Sequence, residues 1–137
     1  MKRSHFFFAV LIFALGFFSS CQPDQQPTPT DARDAYVASW TCNEHSSQIG
    51  ASTYTVHISK STTNATQVLI DNFYNLGTNF KAMTDINGTS LTIPTQTLNS
   101  NQLHGSGTKV ATNTVNLTYY MNNGSAVDTC SATLTRQ

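Results

Sequence analysis

Short segments in which apolar and polar residues alternate fill the chain from about residue 39 onward, and they constrain its fold more than any other feature. In one of them Tyr54, Val56 and Ile58 fall on one face of an extended chain, while Thr, His and Ser residues fall on the other. Because Thr, Ser, Asn and β-branched residues dominate, helix is disfavoured. The pattern predicts eight strands: Ser39 to Glu44, Ser52 to Ser59, Gln67 to Phe73, Phe80 to Thr84, Ser90 to Thr95, Gln102 to Thr108, Thr114 to Asn122, and Ala126 to Thr135.

The connections between these strands are short, which indicates a meander. The Asn-Gly pairs at 87–88 and 123–124 predict two-residue type I′ hairpins, since that turn needs positive φ at both central residues. A single helical turn is predicted before the first strand, where Thr30 or Asp31 caps residues 34–36.

Two cysteines favour closure of the meander into a barrel. Cys42 lies in the first predicted strand and Cys130 in the last, and only a closed barrel makes those strands neighbours, within the roughly 4.4 to 6.8 Å between Cα atoms that a disulfide requires. We therefore predict an all-β, eight-stranded antiparallel up-and-down barrel with a Cys42–Cys130 disulfide. An immunoglobulin-type sandwich is the alternative, but Trp40 precedes both cysteines, whereas that fold places its buried Trp between them.

The first 20 residues have the organisation of an export signal. Lys2 and Arg3 precede an apolar run from Phe6 to Phe18, and small residues follow it. A helix over this run reaches only about 20 Å, short of the roughly 30 Å hydrocarbon core of a bilayer, so a permanent transmembrane span is the weaker interpretation. Export also places the cysteines where disulfides persist.

Phe18-Ser19-Ser20-Cys21 resembles the lipobox of bacterial lipoproteins, in which the cysteine is acylated and becomes the first mature residue. The resemblance implies a lipid anchor on Cys21, and Gln22 after it implies the outer membrane, with the protein facing the periplasm or the cell surface. An ordinary signal peptide with a free Cys21 is the alternative. Residues 21–30, which contain three prolines and no large apolar residue, predict a flexible tether.

Residues 31–137 are long enough for one small domain. Loss of residues 1–20 removes two of the seven basic residues, which leaves five against seven acidic ones, a net charge of −2. Neither sign is clustered, so no nucleic-acid partner is expected. Within this domain Ala38-Ser39-Trp40 is similar to the Gly-x-Trp start of lipocalin-like barrels. The resemblance implies a calycin-like barrel whose floor Trp40 closes.

No catalytic set or cofactor is predicted, so we expect a protein that is not an enzyme. His45, His57 and His104 lie in separate segments without zinc-ligand spacing, and Ser106 lies outside any Gly-x-Ser-x-Gly elbow. The Gly-Ser-Gly that contains Ser106 is more typical of a bulge or a barrel bend.

If Cys42 lay opposite Cys130, Trp40 would face Ala132 and Glu44 would face Asp128. Two inward carboxylates would then meet at one barrel mouth, beside His45. Such a pair would be solvated, splay apart, share a proton or bind a cation such as Ca²⁺, and solvation or splaying is the expected outcome. Glu44 and Asp128 are therefore only weak metal candidates.

Large side chains favour an interior that is packed or nearly packed, with a shallow pocket at one mouth. The candidate ligand-lining residues are Trp40, Tyr54 and Tyr119 inside the barrel and Tyr74, Phe80 and Tyr120 at its mouth. The leading hypothesis is a membrane-anchored lipocalin-like binding module for a small apolar ligand, a glycan or a partner protein. The alternative is an inhibitor of a secreted hydrolase such as a lysozyme or a protease, by analogy with small barrel lipoproteins.

Overall fold

The computed structural model describes residues 30–137, so the predicted signal peptide, Cys21 and nearly all of the tether lie outside the described residues. Eight antiparallel strands pair in sequence order, and the last pairs with the first to close an up-and-down barrel. The strands are β1 Ala38–Ser46, β2 Gly50–Lys60, β3 Gln67–Asp71, β4 Lys81–Asn87, β5 Ser90–Leu98, β6 Asn101–Ala111, β7 Thr114–Asn122 and β8 Val127–Arg136, with 3₁₀ turns at Ala32–Ala35 and Phe73–Asn75. The predicted fold class is confirmed. Among residues 30–137 no helix is long and apolar enough to cross a membrane.

The predicted faces are confirmed along the strands. The inward positions of β3, β5 and β7 are buried, and they include Val68, Ile70, Leu91, Ile93, Val115, Leu117 and Tyr119. The first 3₁₀ turn also lies where it was expected, capped by the Asp31 carboxylate, which accepts a 2.9 Å hydrogen bond from the Arg33 N–H. One strand is shorter than predicted. β3 ends at Asp71 because Asn72 adopts a left-handed conformation with φ of 58°, which breaks the extended chain.

The predicted Asn-Gly hairpins are wrong in detail. Asn87 pairs with Ser90 as the last residue of β4, so the connection is Gly88 and Thr89. A four-residue loop, 123–126, joins β7 to β8. The two-residue turn with positive φ at both positions is instead formed by Asn99 and Ser100, at φ of 48° and 66°.

The predicted disulfide is also wrong in this structure. Cys42 faces Leu134 and Cys130 faces Ser46, so the β1–β8 register is offset by four residues from the one expected, and Trp40 faces Arg136 rather than Ala132. At about 3.4 Å per residue this offset separates the cysteines by roughly 14 Å along the strands, well beyond disulfide reach. Both thiols are free and buried on the inner face of the barrel. Closure therefore depends on backbone pairing and the core.

The Gly-Ser-Gly segment of β6 lets neighbouring strands approach closely. A Cβ built on Gly105 would lie 2.5 Å from the Tyr119 Cβ, and one built on Gly107 would lie 2.5 Å from the Asn116 carbonyl oxygen. The partner strand β5 has a register irregularity between Ile93 and Gln96. Glycine is therefore required here to bend the wall.

Candidate ligand site at the open end of the barrel

The two ends of the barrel differ. One, here called the closed end, is covered by the first 3₁₀ turn and includes the β2–β3, β4–β5 and β6–β7 connections. The other, the open end, is bordered by four connections at residues 47–49, 72–80, 99–100 and 123–126.

Two buried side chains, Trp40 and Tyr36, and the partly exposed Arg136 seal the closed end. The Trp40 Nε1–H donates to the Tyr36 carbonyl oxygen at 2.8 Å, and the Tyr36 hydroxyl donates to the Gly88 carbonyl oxygen at 2.9 Å. The Arg136 guanidinium lies 4.9 Å from the centre of the Trp40 ring and donates to the Ala35 carbonyl oxygen at 2.6 Å. Trp40 therefore belongs to the floor of the barrel and does not line a ligand site.

Asp128 organises the open end. Its carboxylate accepts hydrogen bonds from the hydroxyls of Ser46 at 2.5 Å, Ser47 at 2.9 Å and Tyr74 at 2.6 Å, and from the Gln48 N–H at 3.1 Å. Only 5% of Asp128 is exposed. Burial alone would raise the pKa of this carboxyl, but the four donors together hold its pKa at about 2. Asp128 is therefore an anion that ties the β1–β2 turn and the β3–β4 loop to β8.

Glu44 forms a second buried network deeper in the barrel. Its Oε2 accepts hydrogen bonds from the hydroxyls of Tyr54 and Tyr119, and only 6% of the residue is exposed. Burial raises the pKa of both tyrosines far above the ordinary phenol value, so both act as hydroxyl donors.

The two thiols lie within these networks. Burial, and to a smaller extent the charge of Glu44, raise the pKa of Cys42 and of Cys130 to about 12. Cys130 is also affected by the charge of Asp128, which places it between the two carboxylates. The two thiols near the carboxylates are therefore neutral, and they provide no positive charge to balance the carboxylates.

Aromatic side chains of the β3–β4 loop cover these networks. The Phe73 ring packs 4.6 Å from the Tyr119 ring, and the Tyr74 ring meets Tyr119 edge-on at 6.3 Å. Asn72, Tyr74 and Asn75 have φ of 58°, 56° and 54°, a left-handed conformation that costs roughly 1 to 2 kcal/mol for a non-glycine residue. The hydrogen bond from Tyr74 to Asp128 holds this strained loop in place.

A cavity of about 240 Å³ opens between these elements. Its walls are the side chains and backbone of Gln48, Ile49, Tyr74, Asn101, Met121, Asn123, Ala126 and Asp128. Two further hollows, of about 410 and 430 Å³, lie on the outer wall over β1, β7 and β8 and over β6 and β7. Both are more open to solvent than the cavity at the open end. The cavity at the open end is the one in contact with the Asp128 network.

The structure brings together some of the predicted ligand-lining residues and separates others. Tyr54 and Tyr119 share the Glu44 network, and Tyr74 lines the cavity. Phe80 packs on the core beneath the loop. Tyr120 lies on the outer wall, stacked on His104 with ring centres 5.0 Å apart, so it lines neither the cavity nor the interior.

Glu44 and Asp128 are both inward and near the same end, as predicted, but they do not face each other. Glu44 faces Ala132, four residues further along β8 than Asp128. Within residues 30–137 no group of three or more His, Cys, Asp or Glu side chains is arranged to hold a metal ion. The two carboxylates are splayed apart and are bound by hydroxyl groups.

Sequence reasoning missed Ser46, Ser47, Gln48 and Met121. Ser46 continues the inward alternation of β1 beyond the predicted end at Glu44, and Met121 continues the inward alternation of β7, so alternation was the available signal for both. Ser47 and Gln48 join the site through the β1–β2 turn, and the contact of this turn with Asp128 depends on the register of β8.

Comparisons with known proteins bear on the fold alone. No protein-family model and no curated protein matches this chain. Among solved structures, a redesigned β-barrel, b11L5F_LGL, superposes with a TM-score of 0.57 at 14% identity, covering 78% of this chain and 96% of its own. EF1p2_mFAP2b, solved bound to DFHBI, superposes with a TM-score of 0.53 at 12% identity, covering 79% and 100%. The chain is therefore similar in fold to these small barrels.

Proposed function

We propose that this chain is a non-enzymatic binding module that takes a small ligand at the open end of its barrel and is tethered to the bacterial outer membrane through Cys21. The observation that carries the ligand site is the difference between the two ends. Trp40 and Tyr36 seal one end, whereas the other holds a partly apolar cavity beside a buried carboxylate network. Enclosed, mostly apolar cavities with a few fixed polar groups are the usual sites of small ligands.

The size of the cavity limits the ligand. About 240 Å³ lies below the roughly 300 to 1,000 Å³ of pockets for drug-sized molecules. The barrel interior below it is filled by core side chains such as Tyr119, Leu117 and Met121. A molecule of about one ring therefore fits better than a long lipid. That one similar barrel is solved bound to DFHBI supports a small molecule as ligand.

The tether is consistent with this arrangement. Residues 30–36 lie at the closed end, where Tyr36 and the first 3₁₀ turn cover the floor. A lipid anchor upstream of them would place the closed end toward the membrane and leave the open end free to meet its ligand.

A fragment screen by nuclear magnetic resonance tests the ligand site. We expect bound fragments to shift the Met121 methyl signal, and Ala126→Trp, which fills the exposed rim, to weaken binding at least about tenfold. Ala111→Trp places the same ring on an exposed alanine near the closed end and should leave binding unchanged. Binding that survives Ala126→Trp, or a screen in which no fragment perturbs the open end, would contradict the proposal.

One observation favours the alternative function, inhibition of a secreted hydrolase. Ile49 is 71% exposed at the tip of the β1–β2 turn, and Ser46 holds that turn rigid by accepting from the Ile49 N–H at 2.8 Å. A rigid turn with an exposed apolar residue suits insertion into a protein cleft. Incubation with a panel of lysozymes and proteases is the test. Inhibition that Ile49→Asp abolishes would support this function, and full activity across the panel would remove it.

A further inference from the structure

We propose that the ligand of the open-end cavity is a small organic cation, such as a ring-bearing ammonium compound, recognised by Tyr74 and the charge of Asp128. The inference rests on the proposed ligand site and adds the chemical class of its ligand. It follows from the charge balance of the site, from the hydrogen-bonding roles left free in the cavity, and from the nature of its walls.

The charge balance is negative and uncompensated. In the part of the chain that the structure describes, the ion pairs join Arg33, Lys60 and Lys81 to Asp31, Asp34 and Asp71, and neither Asp128 nor Glu44 belongs to one. Arg136 lies over Trp40 at the closed end, and Lys109 donates to the carbonyl oxygens of Ala111 and Thr112 near that end. Both buried carboxylates therefore have only neutral donors around them, and a cation entering the cavity would meet their combined field in a medium of low dielectric constant.

The hydroxyl of Tyr74 is available only as an acceptor. It donates its proton to Asp128 Oδ2 at 2.6 Å, and burial together with that carboxylate raises the pKa of Tyr74, so the proton stays on the phenol. The lone pairs of the same oxygen remain for a ligand, and the bond to an anion strengthens them as acceptors. Asp128 already accepts four hydrogen bonds, close to the capacity of a carboxylate. A ligand N–H would therefore bind the Tyr74 oxygen and feel the charge of Asp128 behind it.

The walls of the cavity suit both the ring and the ammonium group of an organic cation. The Tyr74 ring, Met121 and Ile49 provide aromatic and aliphatic surface on the cavity. Aromatic faces attract ammonium groups, and the attraction grows where water is excluded. The side-chain amides of Gln48, Asn101 and Asn123 add neutral hydrogen-bonding groups at the rim. An anionic ligand would meet two buried negative charges and is disfavoured.

Three ring compounds of nearly the same shape test the charge class: benzylammonium chloride, benzyl alcohol and sodium benzoate. Binding to the purified protein is measured by titration of the open-end methyl signals, including Met121. We expect benzylammonium to bind at least about tenfold more tightly than benzyl alcohol, the scale of one charge-assisted hydrogen bond, and benzoate not to bind. Equal binding of the alcohol, or preference for benzoate, overturns the cation class but leaves the ligand site in place. If no compound of any class perturbs the open end, the proposed function fails as well.

Variants assign the effect to residues. Tyr74→Phe keeps the ring and removes the acceptor, and Asp128→Asn removes the charge, so each should weaken benzylammonium about tenfold while changing benzyl alcohol less. Asp128→Asn also alters the turn, and Glu44→Gln is the second variant, since it removes the deeper charge without touching the cavity. Asp85→Asn, at a carboxylate near the closed end that is bonded to Gln67, is the matched control and should change nothing. Loss of binding in the control, or unchanged binding in the other three, would overturn the assignment.

Discussion

The two ends of this barrel bury polar groups in different ways. At the closed end the Trp40 N–H and the Tyr36 hydroxyl, both neutral donors, bond to backbone carbonyl oxygens. At the open end Asp128 and Glu44 are buried charges held by hydroxyl groups and one N–H. Neutral groups paired in this way cost little to bury, whereas buried charges without a counter-ion are costly, and we propose that the open end retains them for binding. Stability should therefore be concentrated at the closed end and binding at the open end.

The largest effect is expected from Trp40→Ala. It removes a fully buried ring and its bond to Tyr36, and a Trp-to-Ala change in a core costs about 3 to 5 kcal/mol of unfolding free energy. Tyr74→Ala at the open end removes a half-buried ring and should cost about 1 to 3 kcal/mol. Urea denaturation compares the two. If Trp40→Ala does not fold, Trp40→Phe is measured in its place. A smaller loss of unfolding free energy at Trp40 than at Tyr74 would contradict the expected difference between the two ends.

The second-largest effect on stability is expected from acid, which should act through Asp128 at the open end. Because the pKa of Asp128 falls from 3.8 to about 2 on folding, its ionised form stabilises the fold above pH 4, and that stability is lost as the pH falls through about 2. The shift corresponds to about 2 kcal/mol, and Asp128→Asn should abolish it. Urea unfolding at pH 4 and pH 2 measures the difference.

Added salt should distinguish the loss of stability in acid that is due to Asp128 from a similar loss that is due to Asp31 at the closed end. Arg33 and Lys60 hold the pKa of Asp31 well below its usual range, but that cluster is partly exposed and consists of ion pairs, so added salt should weaken it. The Asp128 network has neutral donors and should respond little to salt. An acid transition in the wild-type protein that Asp128→Asn leaves unchanged would contradict the assignment to the open end.

Much of this architecture could be predicted from the sequence, because alternation fixes which side chains face inward. Alternation does not fix register. A shift of four residues between β1 and β8 keeps Cys42, Glu44, Asp128 and Cys130 on the same inner face, so both registers satisfy the pattern equally. The sequence therefore predicted two inward carboxylates correctly and paired them wrongly. Alternation alone also excludes Tyr119 and Tyr120 from facing inward together, since they are adjacent in β7.

Whether Cys42 and Cys130 are free thiols or a disulfide tests the register of β1 and β8, and the expected effect on stability is smaller than the effects above. With both thiols free and their pKa raised to about 12, the folded protein should react very slowly with iodoacetamide at pH 8, and urea should make both reactive. Mass spectrometry counts the alkyl groups. Dithiothreitol should leave the melting temperature unchanged. A fall in melting temperature on reduction would support the Cys42–Cys130 disulfide and the register that it requires. A mass showing that two cysteines stay unalkylated in urea without reductant would support the same conclusion.

The smallest effect on stability is expected from Cys21→Ser, which should change location alone. The residue precedes the closed end in sequence, and we expect it to carry lipid, so its loss should release the protein from membranes while the fluorescence melting curve of Trp40, the only tryptophan, stays the same. Cys42→Ser is the matched control with the opposite expectation. It places a hydroxyl in a buried site that a thiol fills, so it should lower the melting temperature and leave the protein at the membrane. If Cys21→Ser stays in the membrane fraction, the anchor lies elsewhere. If it lowers the melting temperature, the tether contacts the closed end, and the two ends are then less independent than their contacts indicate.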